Sequence, residues 1–157
     1  MGISSKGLDG LKKRLNSFRD HGVVLNNALM PGRQDVPADI RPEDFFSGCG
    51  FTEIRSLDIT KSEGADIIHD MNYSVPSSLF GKFDFIFDGG TMEHVFDTRI
   101  FLNNCVWMLR VGGLTYHGNP LNNFINHGFY QFSPALYFAF YKANGYVVEQ
   151  LSFIATA

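Results

Sequence analysis

Short apolar runs and helical apolar patterns alternate along the chain. Runs that are typical of strands occur at residues 23–30, 51–58, 65–70, 83–88, 114–117 and 146–154. Apolar residues at helical spacing predict helices at residues 3–20, 41–47, 97–110 and 135–143. Strands that alternate with helices are typical of a parallel sheet covered by helices. The pattern therefore predicts an α/β, Rossmann-like, doubly wound and mostly parallel sheet with helices on both faces. We expect one domain over residues 1–157, with an N-terminal helix within residues 1–20.

The most informative stretch is residues 83–95. Residues 83–87 are apolar apart from one aspartate, as expected for a strand that is buried on both faces. Asp88, Gly89 and Gly90 follow, where an acid and two small residues replace the bulky side chains. Open α/β sheets bind their ligands at the carboxyl ends of such strands. This stretch therefore predicts a strand, a functional loop and a helix in succession.

Two further acids close predicted strands. Asp58 ends the second strand and Asp70 ends the third, so both are expected at the same edge of the sheet as Asp88. An acid after the second strand of a dinucleotide-type fold suits ribose hydroxyls, and one after the third suits an exocyclic amine. Each acid taken alone is better explained as the cap of the following turn. Their joint position favours a nucleoside site.

Several segments within residues 58–145 follow one another in a characteristic order and spacing. They are Asp58, Asp70-Met71-Asn72, residues 83–88 followed by Met92-Glu93-His94-Val95, the turn at residues 107–113, and residues 127–134. In this order the segments resemble the class I S-adenosylmethionine-dependent methyltransferases, in particular the type 11 group. They cover a little over half of the chain.

This resemblance implies S-adenosylmethionine as cofactor and a small-molecule or sugar-type acceptor as substrate. It implies that Asp58 holds the ribose hydroxyls, Asp70 holds the adenine amine and Met71 packs on the adenine face. The residues that would line the methionine end of the cofactor are Asp88, Gly89 and Gly90.

The first loop departs from the pattern of this family. The glycine-rich sequence after the first strand is missing, and residues 29–35 contain a single glycine, Gly32. Gly32 would alone allow close approach of the cofactor, with polar contacts from Arg33, Gln34 or Asp35. This departure favours an alternative, a non-catalytic methyltransferase-like structural or regulatory subunit. A nicotinamide-dependent oxidoreductase is a third option on the fold alone, and its glycine-rich loop is missing as well.

Three histidines are candidates for proton transfer. Methyl transfer to a hydroxyl or amine needs positioning and a base, and histidine is the usual proton acceptor near neutral pH. His94, His117 and His127 are expected at the active edge, although each could equally bond only loop backbone. Residues 119–132, rich in asparagine and aromatic side chains, are expected to cover the acceptor.

Composition and charge limit the partners. A net charge of −3 argues against broad binding to nucleic acid, and no apolar run approaches the roughly 18 residues needed to span a bilayer. Cys49 and Cys105 have no metal-like spacing, so we expect no metal site and two buried, reduced thiols in a cytoplasmic protein.

The seventh strand of the family is missing after residues 146–154, which leaves a trimmed fold, a fragment or completion by another subunit. An unpaired apolar strand is prone to association, which favours a homodimer.

Overall fold

The computed structural model describes residues 5–32, 41–61 and 64–153. These residues form four α-helices and five strands. In chain order they are α1 (Ser5–Asp20), β1 (Asn27–Pro31), α2 (Pro42–Gly48), β2 (Glu53–Asp58), β3 (Ile67–Ile68), β4 (Phe83–Asp88), α3 (Thr98–Met108), β5 (Leu109–His117) and α4 (Pro134–Ala143). All five strands are parallel, in the spatial order β3-β2-β1-β4-β5. The predicted α/β, Rossmann-like class is confirmed.

Strand β4 lies at the centre of the core. It pairs with β1 on one side and β5 on the other, and every one of its residues is buried. Leu29 and Ile86 contribute to a hydrophobic cluster that includes residues of α3 and α4. Ala28 and Phe85 belong to a second cluster, together with Leu15 of α1 and residues of α2. Helices therefore pack on both faces of the sheet. Because both faces of β4 are buried, its successive side chains are apolar, apart from the aspartates.

Asp84 interrupts the apolar run of β4 for a structural reason. Its carboxylate accepts hydrogen bonds from the backbone N–H groups of Asn26 (2.7 Å) and Asn27 (2.8 Å) and pairs with the guanidinium of Arg110. Burial by itself raises the pKa of Asp84, but these donors outweigh burial and lower the pKa below its usual value. Asp84 thus joins the start of β1 to β4 and β5, at the edge of the sheet opposite the predicted site.

Strand β5 is longer than its apolar pattern indicates. The predicted turn at residues 111–113 lies inside β5, and α3 ends at Met108. Phe83 pairs with Leu109 and Phe85 pairs with Leu114, so four residues of β5 (110–113) lie opposite the single residue Asp84 of β4. The surplus residues form an irregularity of the β-bulge type. Gly112 has a φ of +79°, a conformation that suits glycine in a bulge as well as in a turn.

The predicted last strand is wrong within the described residues. Residues 146–153 form no strand there, and Val147 and Phe153 are exposed. An apolar pattern does not by itself provide a pairing partner, and the sheet ends at β5. The homodimer stays a prediction, but the free edge strand that suggested it is not part of the described structure. Ile154 lies outside the described residues.

The two cysteines match their prediction. Cys49 and Cys105 are both buried and free. Among the helices in the described part of the chain, none has the length and apolar character needed to cross a membrane.

Candidate functional site at the carboxyl edge of the sheet

Gly32, the residue after β1, meets the loop after β4 at the carboxyl edge, where the strand order reverses between these two strands. Gly32, directly after β1, has a φ of +66°. The Thr91 hydroxyl donates a hydrogen bond to the Pro31 carbonyl (2.6 Å), and a Cβ on Gly32 would lie 2.5 Å from that hydroxyl oxygen. Glycine is therefore required here by both conformation and space. Arg33, with the neighbouring residues 34 and 35, lies outside the described residues.

Asp88 ends β4 as a fully buried carboxylate with partners at both oxygens. Oδ1 accepts hydrogen bonds from the backbone N–H groups of Thr91 (2.9 Å) and Met92 (3.2 Å). Oδ2 accepts from the Asn119 amide (3.0 Å) and lies 2.8 Å from Nδ1 of His117. Burial raises the pKa of Asp88, but the bonds from His117, Thr91 and Asn119 outweigh burial and hold the pKa below its usual value. The carboxylate is thus ionised and turned inward.

The stability of the protein at low pH should depend on Asp88. Because its pKa is lowered in the folded state, the unfolded chain takes up the proton first as the pH falls. Its contribution to the free energy of unfolding is complete above the ordinary aspartate pKa of about 3.9 and is lost as the pH falls through the folded pKa. Urea unfolding from about pH 7 to about pH 3 should therefore show a shallower loss of stability in Asp88→Asn than in the parent protein. Parallel pH profiles would contradict this, since Asp84 contributes equally to both proteins.

His117, the last residue of β5, links this carboxylate to α4. Its Nδ1 faces Asp88, and its Nε2 lies 2.6 Å from the hydroxyl of Tyr141. Burial raises the pKa of Tyr141 well above its usual value, so its hydroxyl stays protonated. In the neutral tautomer whose Nδ1–H donates to Asp88, that hydroxyl donates to Nε2. Both ring nitrogens of His117 are therefore engaged. Proton transfer to a substrate would require the bond to Tyr141 to open.

Glu93 is a second buried carboxylate at this edge, and the sequence did not single it out as a site residue. It lies in the short 3-10 turn Met92–His94, and its Oε2 accepts a hydrogen bond from the Asn119 amide (2.9 Å). The same amide nitrogen donates to Asp88 Oδ2, and the side-chain oxygen Oδ1 of Asn119 accepts from the Tyr137 hydroxyl (2.7 Å). Asn119 thus joins the two carboxylates. The Met-Glu-His-Val sequence was the signal, but the sequence does not tell which way Glu93 points.

His94 and His127 lie together beside the other oxygen of Glu93. Their rings are 4.9 Å apart, and Nε2 of His127 is 3.4 Å from Glu93 Oε1. The His94 side chain is exposed, whereas His127 is 25% exposed and Glu93 only 1%. Among the described residues, Glu93 Oε1 has no hydrogen-bond partner. Of the three candidate histidines, the structure brings these two together and holds His117 deeper in the same network.

Of the residues predicted to bind a nucleoside, Asp58 ends β2 and Asp70 lies two residues after the end of β3. Asp58 accepts a hydrogen bond from the backbone N–H of Thr60 (3.0 Å), and Asp70 accepts from the backbone N–H of Asn72 (2.9 Å). Both acids therefore cap turns and are partly accessible. Met71 is 5% exposed and packs in the core, so a contact with adenine stays a prediction for it.

The remaining predicted positions belong to the loops around the network. Gly89 is buried and Gly90 has a φ of +111° in the loop after β4. The loop at residues 118–133 packs on the Glu93 turn, where the Phe129 N–H donates to the Glu93 carbonyl (2.8 Å). A Cβ on Gly128 would lie 2.8 Å from that carbonyl oxygen, so glycine allows the two segments to approach. Part of the predicted acceptor segment, residues 119–132, therefore lies against the Glu93 turn.

No protein-family model, curated protein sequence or solved structure matches this chain. The molecule is a Rossmann-like α/β protein with a buried network of acids, histidines and tyrosines at the carboxyl edge of its sheet. Its function is therefore inferred from that geometry.

Proposed function

We propose that the chain binds S-adenosylmethionine and transfers its methyl group to a small-molecule or sugar-type acceptor. The observation that carries this proposal is the common edge shared by Asp58, Asp70 and Gly32 in a sheet of order β3-β2-β1-β4-β5. In such sheets a ligand lies in the crevice where the strand order reverses, and acids after the neighbouring strands accept bonds from its nucleoside. The resemblance of residues 58–145 to the methyltransferases agrees with this arrangement.

The acceptor side of the proposed site is formed by His94 and His127. Both are at least partly accessible; His94 lies beside the loop at residues 118–133, and His127 belongs to that loop. In-line methyl transfer depends mainly on positioning and needs a proton acceptor for a hydroxyl or amine substrate. The position of His127 next to the Glu93 carboxylate would orient its ring. His117 is less suited to this role because both of its nitrogens are bonded.

A second function, a non-catalytic structural or regulatory subunit, is favoured by a different observation. Both carboxylate oxygens of Asp88 accept hydrogen bonds from within the protein, and Met71 packs in the core. These are two of the positions that the resemblance assigns to cofactor contacts. A domain that kept its fold and lost its ligand would use these side chains in the same way.

Calorimetric titration with S-adenosylmethionine and S-adenosylhomocysteine tests the proposal. We expect saturable binding, and we expect Asp58→Ala and Asp70→Ala each to weaken it by about 1–3 kcal/mol, the loss of one hydrogen bond to a ligand. Glu53→Ala is the matched control, because Glu53 lies at the opposite end of β2 and makes an exposed ion pair with Arg55. Its affinity should equal that of the parent protein.

The outcomes separate the two functions. Binding that neither aspartate variant weakens would contradict the site assignment. If the folded parent protein binds neither compound, the non-catalytic function is supported and a partner becomes the object of the search.

A further inference from the structure

We propose that Glu93, His94 and His127 form a binding site for a divalent first-row transition-metal ion. One carboxylate oxygen and one nitrogen from each imidazole lie within 4.8 Å of one another. A ligand set of two histidines and one carboxylate is typical of Zn²⁺ and Fe²⁺ sites that keep open coordination positions. Spacing along the chain did not predict this set, because His127 reaches the other two through the fold of the loop.

The distance between the Glu93 and His127 ligand atoms fits a shared ion. At 3.4 Å, Oε1 and Nε2 are too far apart for a good hydrogen bond. Two ligand atoms each about 2.0–2.1 Å from an ion, at a tetrahedral angle, are separated by about 3.4 Å. The observed spacing is therefore that expected for two neighbouring ligands of one ion.

Glu93 Oε1 provides an independent indication of a ligand. It is a buried carboxylate oxygen, and the described residues give it no hydrogen-bond partner, although its side chain is only 1% exposed. Burying such an oxygen without a partner is costly. No side chain of the described structure donates a hydrogen bond to Oε1. A cation held between Oε1 and the two imidazoles would compensate for the burial of this oxygen.

The second oxygen and the backbone of Glu93 are already held in place. Oε2 accepts from the Asn119 amide (2.9 Å), and the Glu93 carbonyl oxygen accepts from the backbone N–H groups of Phe129 (2.8 Å) and Tyr130 (3.3 Å). The contact of Gly128 with Glu93 brings His127 close. Hydrogen bonds that orient metal ligands in this way raise metal affinity. Two of the three ligands are therefore positioned before any ion binds.

His94 completes the set from the solvent side. It follows Glu93 directly in the 3-10 turn, and its exposed ring can rotate toward the other two ligands. An ion held by these three residues would have its remaining coordination positions directed to solvent. Such positions take water or an oxygen of a small-molecule ligand.

The metal site does not depend on methyl transfer. Binding of an ion by the protein alone tests it, and S-adenosylmethionine is absent from that experiment. The competing arrangement is an ion pair between a protonated His127 and Glu93, which would take up no metal. If the ion binds, both imidazoles are ligands, and an acceptor oxygen would be activated by coordination to the ion instead of by a histidine base.

The test is titration of the tag-free chain, residues 1–157, after chelator treatment and dialysis. Zn²⁺ binding is followed by calorimetry and Co²⁺ binding by visible absorption, which reports the geometry of the bound ion. We expect one ion per chain for the parent protein. His94→Ala and His127→Ala should each weaken the affinity by about tenfold or more.

His21→Ala is the matched control, because His21 is an exposed histidine directly after α1, and its ring bonds the Ser17 carbonyl oxygen. Its metal affinity should be unchanged.

Glu93→Gln keeps the side-chain shape and should weaken binding to the same extent as the histidine variants. Circular dichroism checks that each variant is folded. If Glu93→Gln does not fold, His94→Ala decides, since it changes an exposed ring. The proposal is overturned if the parent protein takes up no stoichiometric ion, or if His94→Ala and His127→Ala bind as the parent does.

Discussion

Replacement of Asp88 by alanine is expected to lower the free energy of unfolding by about 3–5 kcal/mol at neutral pH. The carboxylate is fully buried, and its removal leaves the His117 ring, the Asn119 amide and the Thr91 N–H without their common acceptor. Buried donors that lose their acceptor pay the cost of desolvation without compensation. Urea unfolding monitored by circular dichroism measures the effect.

Asp58→Ala is the matched control for this measurement. Asp58 also ends a strand at the carboxyl edge, but it is partly accessible and caps a turn through Thr60. Its loss should cost about 1 kcal/mol or less. Equal losses in the two variants would show that the Asp88 network contributes little beyond a turn cap.

At the opposite edge of the sheet, Asp84→Ala is expected to cost about 3 kcal/mol. Asp84 is buried, and it is the acceptor for two backbone N–H groups as well as the partner of Arg110. The three donors come from the segment before β1, from β1 itself and from β5. One substitution therefore weakens the attachment of three neighbouring segments, and urea unfolding again gives the magnitude.

A double-mutant cycle with Arg110→Met identifies the source of that loss. Arg110 is partly exposed, so its replacement alone should cost only about 1 kcal/mol. The double variant should remain as unstable as Asp84→Ala, since the N–H groups of Asn26 and Asn27 still lack an acceptor. Full recovery of stability in the double variant would contradict this, because it would place the cost in an unpaired Arg110 charge.

The sequence predicted the parts of the fold that depend on burial. The bounds of β4 were correct because a strand buried on both faces is apolar throughout and ends sharply at Asp88. The helix α4 was correct because Pro134 begins it and Ser133 caps it. The bulge in β5 and the absence of a strand at residues 146–153 depend on pairing between distant segments. Glycine and apolar residues are compatible with either outcome at such positions.

The sequence predicted the edge of the sheet at which the site lies, but it did not predict the contacts between the side chains there. Asp88 and His117 end neighbouring parallel strands, so their proximity follows from the topology. The contact between Glu93 and His127 depends instead on the conformation of the long loop after β5, which no local pattern determines. The inward orientation of Met71 likewise depends on its packing against α3. The sequence placed Asp88, His117 and His127 at this edge and could not assign their partners.

The number of surplus residues in the β5 bulge determines to which face of the sheet each later side chain of the strand points. Successive side chains of a strand point to opposite faces, so any shift by one position exchanges the faces. In the present register Tyr116 lies opposite Phe87, and His117 lies opposite Asp88. Loss of a single residue from 110–113 would place His117 opposite Phe87 and Gly118 opposite Asp88, so the imidazole would turn to the other face of the sheet, away from the carboxylate. The length of this inconspicuous bulge is therefore as much a part of the site as the side chains it aligns.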